Sequence, residues 1–329
     1  MRVLILGGTG VISTGITQQL LARGDDVTLF NRGTSDHAGL DSAKAIIGSR
    51  QSVEDLDRVS QQRFDAVIDM ICYREDDGRI AIDAFRGRVA QYVFCSTVDV
   101  FTAPAEVYPI TEGHPRNPSP NFPYAFQKAR LERMFETASA EGAFGLTILR
   151  PAATYVRNIV PPIGSTALYL ELLRTGRPLV MHGDGSTLWV ATHRDDVARG
   201  FVAALGNPKA IGQSYNLQSE EFLTWERYWG VAAEVIGAPP PRYVHIPTDV
   251  LMRMLPKMAE WCGINFQYHN VISSEAARRD LGFNPQISWR EGATALRSLT
   301  DKPDSEMIVK YERLLAAWEE ATSNLLPLE

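Results

Sequence analysis

The chain has 329 residues, 45% hydrophobic and 22% charged, enough apolar content for one large domain or two unequal ones around a real core. A net charge of −6 argues against a nucleic-acid surface, which needs clustered cations to replace the phosphate counterions. No segment reaches the roughly 18 uninterrupted apolar residues of a membrane span, and "MRVLILGG" runs from a single Arg into a strand without a cleavage-site pattern, so a cytoplasmic protein is expected.

"RVLILGG" is a continuous apolar run ending in glycines, followed by a helical segment, Ile12 to Arg23, and a second run, "DVTLFNRG". The pattern predicts a strand, helix, strand unit with a parallel pair. The alternation continues through "AKAIIG", the helical "SVEDLDRVSQQ", "FDAVIDMI", a helix near Arg79 to Phe85, "AQYVFCST", a helix holding Tyr124, and "GLTILRP". Strands buried on both faces and alternating with helices specify an α/β fold, a Rossmann-type doubly wound parallel sheet, over residues 1–155.

After Pro151 the rhythm changes to Pro- and Gly-rich stretches such as "APPPRYVHIP". Residues 156–189 and 219–304 are expected to form a smaller, discontinuous α/β substrate lobe over the sheet's carboxyl edge. Between them, in 190–218, "DDVARGFVAAL" predicts a helix and "QSYNLQS" a strand that rejoins the sheet. In the C-terminal segment, 305–329, a helix places Ile308, Tyr311, Leu315 and Trp318 on one face, a docking surface. The three cysteines, Cys72, Cys95 and Cys262, lack metal-like pairing and are expected as buried free thiols in a reducing compartment.

The turn "LILGGTGVIS" sets Gly7, Gly10 and Ser13 at equal intervals between the first strand and the first helix. The tight turn needs Gly7, and Gly10 lets the backbone approach a pyrophosphate resting on the helix amino end. Serine at the third position predicts a slightly wider helix-to-strand contact. At the end of the second strand, where NAD sites commonly place an acid, the chain has Asn31, Arg32 and Gly33. The planar fork of Arg32 suits a 2′-phosphate, which favours NADP. Arg32 as a solvated loop residue, or paired with Asp36, leaves NAD open.

Of the eleven tyrosines, only Tyr124 has a lysine four residues later, Lys128. That spacing puts both on one helix face. A free phenol titrates near 10, too high for proton exchange at neutral pH, and a nearby ammonium is expected to lower it. Ser96 and Thr97 end a strand at the carboxyl edge and offer hydroxyls to hold a substrate oxygen, or to cap their own backbone.

In order along nearly the whole chain, "GGTG", "CST" followed by Val100 and Phe101, "PYAFQK", "LRP", and "GDG" before "THRDDVA" resemble the extended short-chain dehydrogenase/reductase superfamily. That superfamily includes nucleotide-sugar epimerases, dehydratases and ketoreductases. The resemblance implies a Rossmann domain, a nicotinamide dinucleotide and a catalytic triad. In the family's S-x-x-V-Y pattern the hydroxyl lies four residues before the aromatic, here Phe101, so Thr97 takes the role and Ser96 adjoins it. Tyr124 is then the acid/base, and Lys128 also holds the nicotinamide ribose. Met70 and Ile71 line the adenosine side, and Gly7, Thr9, Gly10, Val11, Ile12, Asn31, Arg32 and Pro151 complete the cofactor contacts. The resemblance also implies a homodimer through a four-helix bundle that includes the Tyr124 helix.

Departures from the family pattern bear on substrate. Where dehydratases read T-D-E-V-Y this chain has Val98, which cannot donate a proton, and Asp99, a carboxylate that could touch substrate or serve a turn. Trp189 stands where epimerases have a diphosphate-gripping Arg, and Ala153 where they have an Asn. With that clamp gone, stacking of Trp189, Tyr155 or Tyr73 on an apolar or ring-shaped molecule becomes an option beside simple core packing. His193 and Asp196 read as structural, and no metal is assigned. The expectation is an NADP-dependent reductase or epimerase acting on a sugar-like, phenolic or polyketide-type small molecule. The rival is a non-catalytic NAD(P)-binding regulator or an RNA-associated protein on the same fold.

Overall fold

The structure, a computed structural model, describes residues 1–34 and 39–323. The chain divides into two compact units, one formed by residues 1–155, 191–220 and 272–287, the other by residues 156–190, 221–271 and the chain from Ser288 onward. The first unit begins with β1 (Arg2–Leu6), α1 (Val11–Ala22), β2 (Asp26–Asn31), β3 (Lys44–Ile47), α2 (Val53–Ser60) and β4 (Ala66–Asp69). It continues with α3 (Glu75–Phe85), β5 (Gln91–Cys95), α4 (Pro123–Ala140), β6 (Gly145–Pro151) and β7 (Thr154–Tyr155). The chain enters the second unit with α5 (Thr166–Arg174), β8 (Leu179–His182) and β9 (Leu188–Trp189), then returns to the first with β10 (Thr192–His193), α6 (Arg194–Ala204) and β11 (Gln213–Leu217). After β12 (Leu223–Thr224), α7 (Trp225–Ile236), β13 (Tyr243–Ile246) and α8 (Thr248–Met254) in the second unit, α9 (Glu275–Leu281) belongs to the first, and α10 (Trp289–Gly292) and α11 (Ser305–Ser323) to the second.

In the first unit seven strands form one sheet in the order β11-β6-β5-β4-β1-β2-β3, every pair parallel. The apolar run of β1 shows why the sheet is covered on both faces. Val3 and Ile5 pack with Ile16 and Leu20 of α1 and with Val197 and Phe201 of α6, while Leu4 and Leu6 pack with Leu56 of α2, Phe85 of α3 and Phe135 of α4. A strand with both faces in a core has no use for alternating polarity. Strand order reverses between β1 and β4, and the carboxyl ends of those strands flank the crevice where doubly wound sheets bind ligands.

Residues 272–287, which the sequence reading places in the lobe, belong to the first unit. Long-range pairing that composition does not reveal puts them there. Ile272 bridges Ile110, and the Ser274 hydroxyl accepts from Gln218 N at 2.9 Å and donates to Gln218 O at 3.1 Å. The buried Asp196 carboxylate then accepts the backbone N–H groups of Gln286 at 2.8 Å and Ile287 at 3.0 Å. His193 caps α6, its Nδ1 accepting from Asp195 N.

The second unit is built on aromatic packing around α7. Trp229 packs on Tyr169 at 4.7 Å between ring centres, and Tyr228 stacks on Trp289 at 4.1 Å. α11 docks through Tyr311 and Leu314, with Ile308, Leu315 and Trp318 half-buried beside them. The Tyr311 hydroxyl accepts from Val180 N at 2.7 Å and donates to Pro178 O at 2.9 Å, closing the start of β8. Among the described residues no helix is long and apolar enough to cross a membrane.

Candidate active site

The glycine turn joins β1 to α1 at the reversal point. Gly7 has φ +83°, and a side chain there would place its Cβ 2.5 Å from Ile71 Cγ2, so the turn and the end of β4 touch only because Gly7 has none. Ser13 does more than widen a contact. Its hydroxyl accepts from Gly10 N at 2.8 Å and donates to Gly7 O at 2.7 Å, tying the loop together from inside. Close helix packing moves two residues on, to Gly15, where a Cβ would meet Arg194 and Ala198 of α6 at 3.1 and 3.2 Å.

Several features of this edge fit a dinucleotide. The first N–H groups of a helix have no intrahelical partner. α1 has no acid in its first turn, whereas α2 carries Glu54 and Asp55 there and α3 carries Glu75, Asp76 and Asp77. Its amino end therefore suits an anion, the N–H groups of Val11 and Ile12 facing it beside Thr9 and beside Gly10, whose own N–H is held by Ser13. At the end of β2 the buried Asn31 accepts Gly33 N at 2.9 Å through Oδ1, while its Nδ2 has no partner among the described residues. Arg32 beside it is exposed, and Asp36 lies outside the described residues. Met70 and Ile71 follow β4, and Pro151 ends β6, buried.

A buried network absent from the sequence reading sets the Met70–Ile71 segment. Asp69, closing the otherwise apolar β4, accepts from Arg50, from the Tyr92 hydroxyl at 2.6 Å and from Ile71 N at 3.2 Å. Arg50 also donates to Asp77 O at 2.6 Å, which fixes the start of α3. A carboxylate ending a fully buried strand is the signal that could have revealed it.

The candidate catalytic residues meet where β5 ends and α4 begins. Pro123 opens α4 at its first position, with φ suited to the helix and no N–H to lose, so Tyr124 falls in the first turn. The Tyr124 phenol lies beside the Thr97 hydroxyl. Thr97 in turn donates to Asp99 Oδ2 at 3.0 Å and accepts Asp99 N at 3.2 Å. Asp99, considered above as a substrate contact or a turn charge, is thus the group that orients Thr97.

The expected tuning of Tyr124 by Lys128 is not what the geometry gives. Partial burial, and then the Asp99 carboxylate, push the phenol well above its ordinary value, and the neighbouring Thr97 hydroxyl opposes them less. Lys128 makes its bonds elsewhere. Its ammonium donates to Cys95 O at 2.7 Å and lies 4.8 Å from the ring centres of both Tyr73 and Phe94. Burial holds its pKa below the usual lysine value. Helical spacing aligns the two backbones, but the long lysine chain reaches down to the strand end, where a carbonyl needs a donor.

One turn beyond Lys128, Glu132 is fully buried and accepts a bidentate pair from Arg150 at 2.8 and 2.9 Å and a further bond from Arg116 at 2.6 Å. Arg116 also reaches Glu136 at 2.7 Å. This cluster fastens α4 to β6 and to the long 102–121 connection.

The expected substrate contacts fare differently. Ser96 is buried beside Glu132 rather than turned toward solvent. Tyr155 is 3% exposed, its ring edge-on to His193 at 5.4 Å, because β7 pairs with β10. Trp189 is 4% exposed in the second unit, stacked on Trp225 at 4.6 Å and edge-on to Phe266 at 5.1 Å. These rings are core, and the apolar partners that claim them come from segments distant in sequence. Tyr73, by contrast, is 49% exposed next to the 38% exposed Tyr124.

Residues 3–217, from β1 through β11, match the NAD dependent epimerase/dehydratase family. The chain belongs to that family. This family member is 27% identical over 242 residues to 2'-dehydrokanamycin reductase of Streptomyces kanamyceticus, covering 73% of this chain and 68% of the relative. It is 26% identical over 309 residues to chloroplast stem-loop binding protein of 41 kDa b of Arabidopsis thaliana, covering 89% of this chain and 77% of the relative. Its fold resembles Thermus thermophilus UDP-glucose 4-epimerase, solved in complex with NAD, with a TM-score of 0.70, 21% identity and coverage of 90% of this chain and 98% of that one.

Proposed function

We propose that this epimerase/dehydratase-family chain is an NADP-preferring oxidoreductase that adds a hydride to, or removes it from, a carbon bearing a ketone or hydroxyl. Its substrate is a sugar-like, phenolic or polyketide-type small molecule. The observation that carries this reading is the Asp99–Thr97 hydrogen-bonded pair beside the Tyr124 phenol at the sheet edge, with the Lys128 ammonium bound at the end of the same strand. Similarity to a protein named as a reductase supports the redox side of it.

A bound nicotinamide supplies the hydride. Tyr124 supplies the proton, giving it to the substrate oxygen as that oxygen gains negative charge. A phenol held above its ordinary pKa keeps its proton through the physiological range and yields it only to a strong base such as a developing alkoxide. Thr97 has its own proton committed to Asp99, so its oxygen is left as an acceptor beside the phenol rather than a donor to the substrate oxygen as first expected. Lys128, anchored on Cys95 O, keeps further N–H groups for the nicotinamide ribose. The absence of a proton donor at Val98 and of an arginine at Trp189 argues against dehydration and against a diphosphate-bearing substrate. A homodimer through α4 is part of the proposal.

NADPH oxidation against a panel of carbonyl compounds tests it, together with the Asp99→Asn variant. Removing the carboxylate charge lowers the phenol pKa, so the alkaline limb of kcat/KM for reduction is expected to move to lower pH. A limb that stays in place removes Asp99 from the constellation. A panel without turnover combined with salt-sensitive RNA binding would favour the second reading, an RNA-associated protein, which the similarity to a stem-loop binding protein supports.

Arg32→Ala is expected to weaken NADPH binding by about tenfold or more while leaving NADH within about twofold, since a charge-assisted fork to a 2′-phosphate is lost. Equal losses for both dinucleotides, measured by fluorescence titration, would exclude the NADP preference.

A further inference from the structure

We infer that Tyr73 sets dinucleotide affinity by covering the Lys128 ammonium and yielding it when the dinucleotide binds; the inference rests on the dinucleotide reading above. An ammonium has three N–H donors, and among the described residues Lys128 bonds to one acceptor, Cys95 O. The rest of the cation faces two aromatic rings at 4.8 Å, Phe94 and Tyr73. A ring face attracts a cation but accepts no strong hydrogen bond, so this is a partial satisfaction that a sugar hydroxyl would improve on.

The two rings are not equivalent. Phe94 is fully buried, packed in the core against Phe135 at 4.8 Å, and cannot leave. Tyr73 is 49% exposed, and its backbone is fixed independently of its ring, since Tyr73 N and Arg74 N both donate to the Asp77 carboxylate at the start of α3. Its hydroxyl has only a long contact, 3.5 Å, to Met70 O. The ring therefore turns about its side-chain bonds toward solvent with little loss. Yet with it in place Lys128 is 1% exposed, although the residue ends at the edge where the dinucleotide runs. Tyr73 is the movable cover, and its cation–π contact competes with the ribose for the same ammonium.

Calorimetric titration of wild type, Tyr73→Phe and Tyr73→Ala with NADPH and with ADP tests this. ADP carries the adenosine half and does not reach Lys128. In Tyr73→Ala the NADPH Kd is expected to fall by about three- to tenfold, the loss of one competing cation–π contact, with the ADP Kd unchanged. Tyr73→Phe keeps the ring and is expected to match wild type for both. An NADPH Kd that is unchanged or higher in Tyr73→Ala overturns the inference, as does a parallel shift for ADP, which would mark a general structural change. Wild type that binds neither ligand would instead remove the dinucleotide reading itself, and this proposal with it.

Discussion

Tyr124→Phe is expected to lower the rate of carbonyl reduction by about 10²- to 10⁴-fold, the usual contribution of a positioned proton donor, while the dinucleotide Kd stays within about twofold. The substitution removes one oxygen and keeps the ring, so the contacts with Tyr73 at 6.5 Å and Phe122 at 6.2 Å persist. What is lost is the proton for the alkoxide. The pH profile distinguishes this from simple misfolding. Wild-type reduction falls as pH rises through the phenol pKa, which burial and Asp99 hold above the ordinary tyrosine range, and the variant's residual rate should show no such limb. Equal rates for wild type and Tyr124→Phe would end the assignment of Tyr124 as the acid.

The second large effect is on stability. Glu132→Ala is expected to cost about 3–5 kcal/mol in denaturant unfolding, because it leaves the Arg150 guanidinium buried without its counter-charge. Arg150 is 1% exposed, closed off from solvent. The double variant Glu132→Leu with Arg150→Met should recover much of the loss, since apolar replacement of a whole buried pair is often near neutral. Additive losses in that double variant would mean that the pair is not coupled. Burial pushes the Glu132 carboxyl up, but the Arg150 pair, with help from Arg116, holds it below the ordinary value of 4.5. The cluster's contribution is therefore complete above that ordinary value and is lost as pH falls through the lowered one. Because Tyr124, Lys128 and Glu132 share α4, variants that keep folding should also lose turnover through a displaced phenol.

Much of the first unit is legible in the linear chain. Local rules carry far for "RVLILGG", "AVID" and "QYVFC": runs with no polar face must be covered on both sides, and a glycine turn between such a run and a helix must come close to something. Placing Thr97, Tyr124 and Lys128 at one edge needs only a parallel sheet and the helical repeat. The same local rules fail where a side chain chooses among partners. Lys128 could serve the phenol or a carbonyl, and the chain geometry gives it Cys95 O. Trp189 and Tyr155 could face a ligand or a core, and β-pairings made with Leu223 and His193 enclose them.

The sequence by itself determined the alternation of strand and helix, the tight turn at Gly7 and the spacing that brings a hydroxyl, a phenol and an ammonium to one edge, because these depend on contacts within one or two elements. Only the tertiary structure decided which groups share their protons and charges. Asp99 turning Thr97, Tyr73 covering Lys128, Glu132 between Arg150 and Arg116, and residues 272–287 returning to the first unit are all outcomes of competition between partners. A buried polar group takes whichever partner the assembled fold brings within reach, and no local pattern encodes that choice.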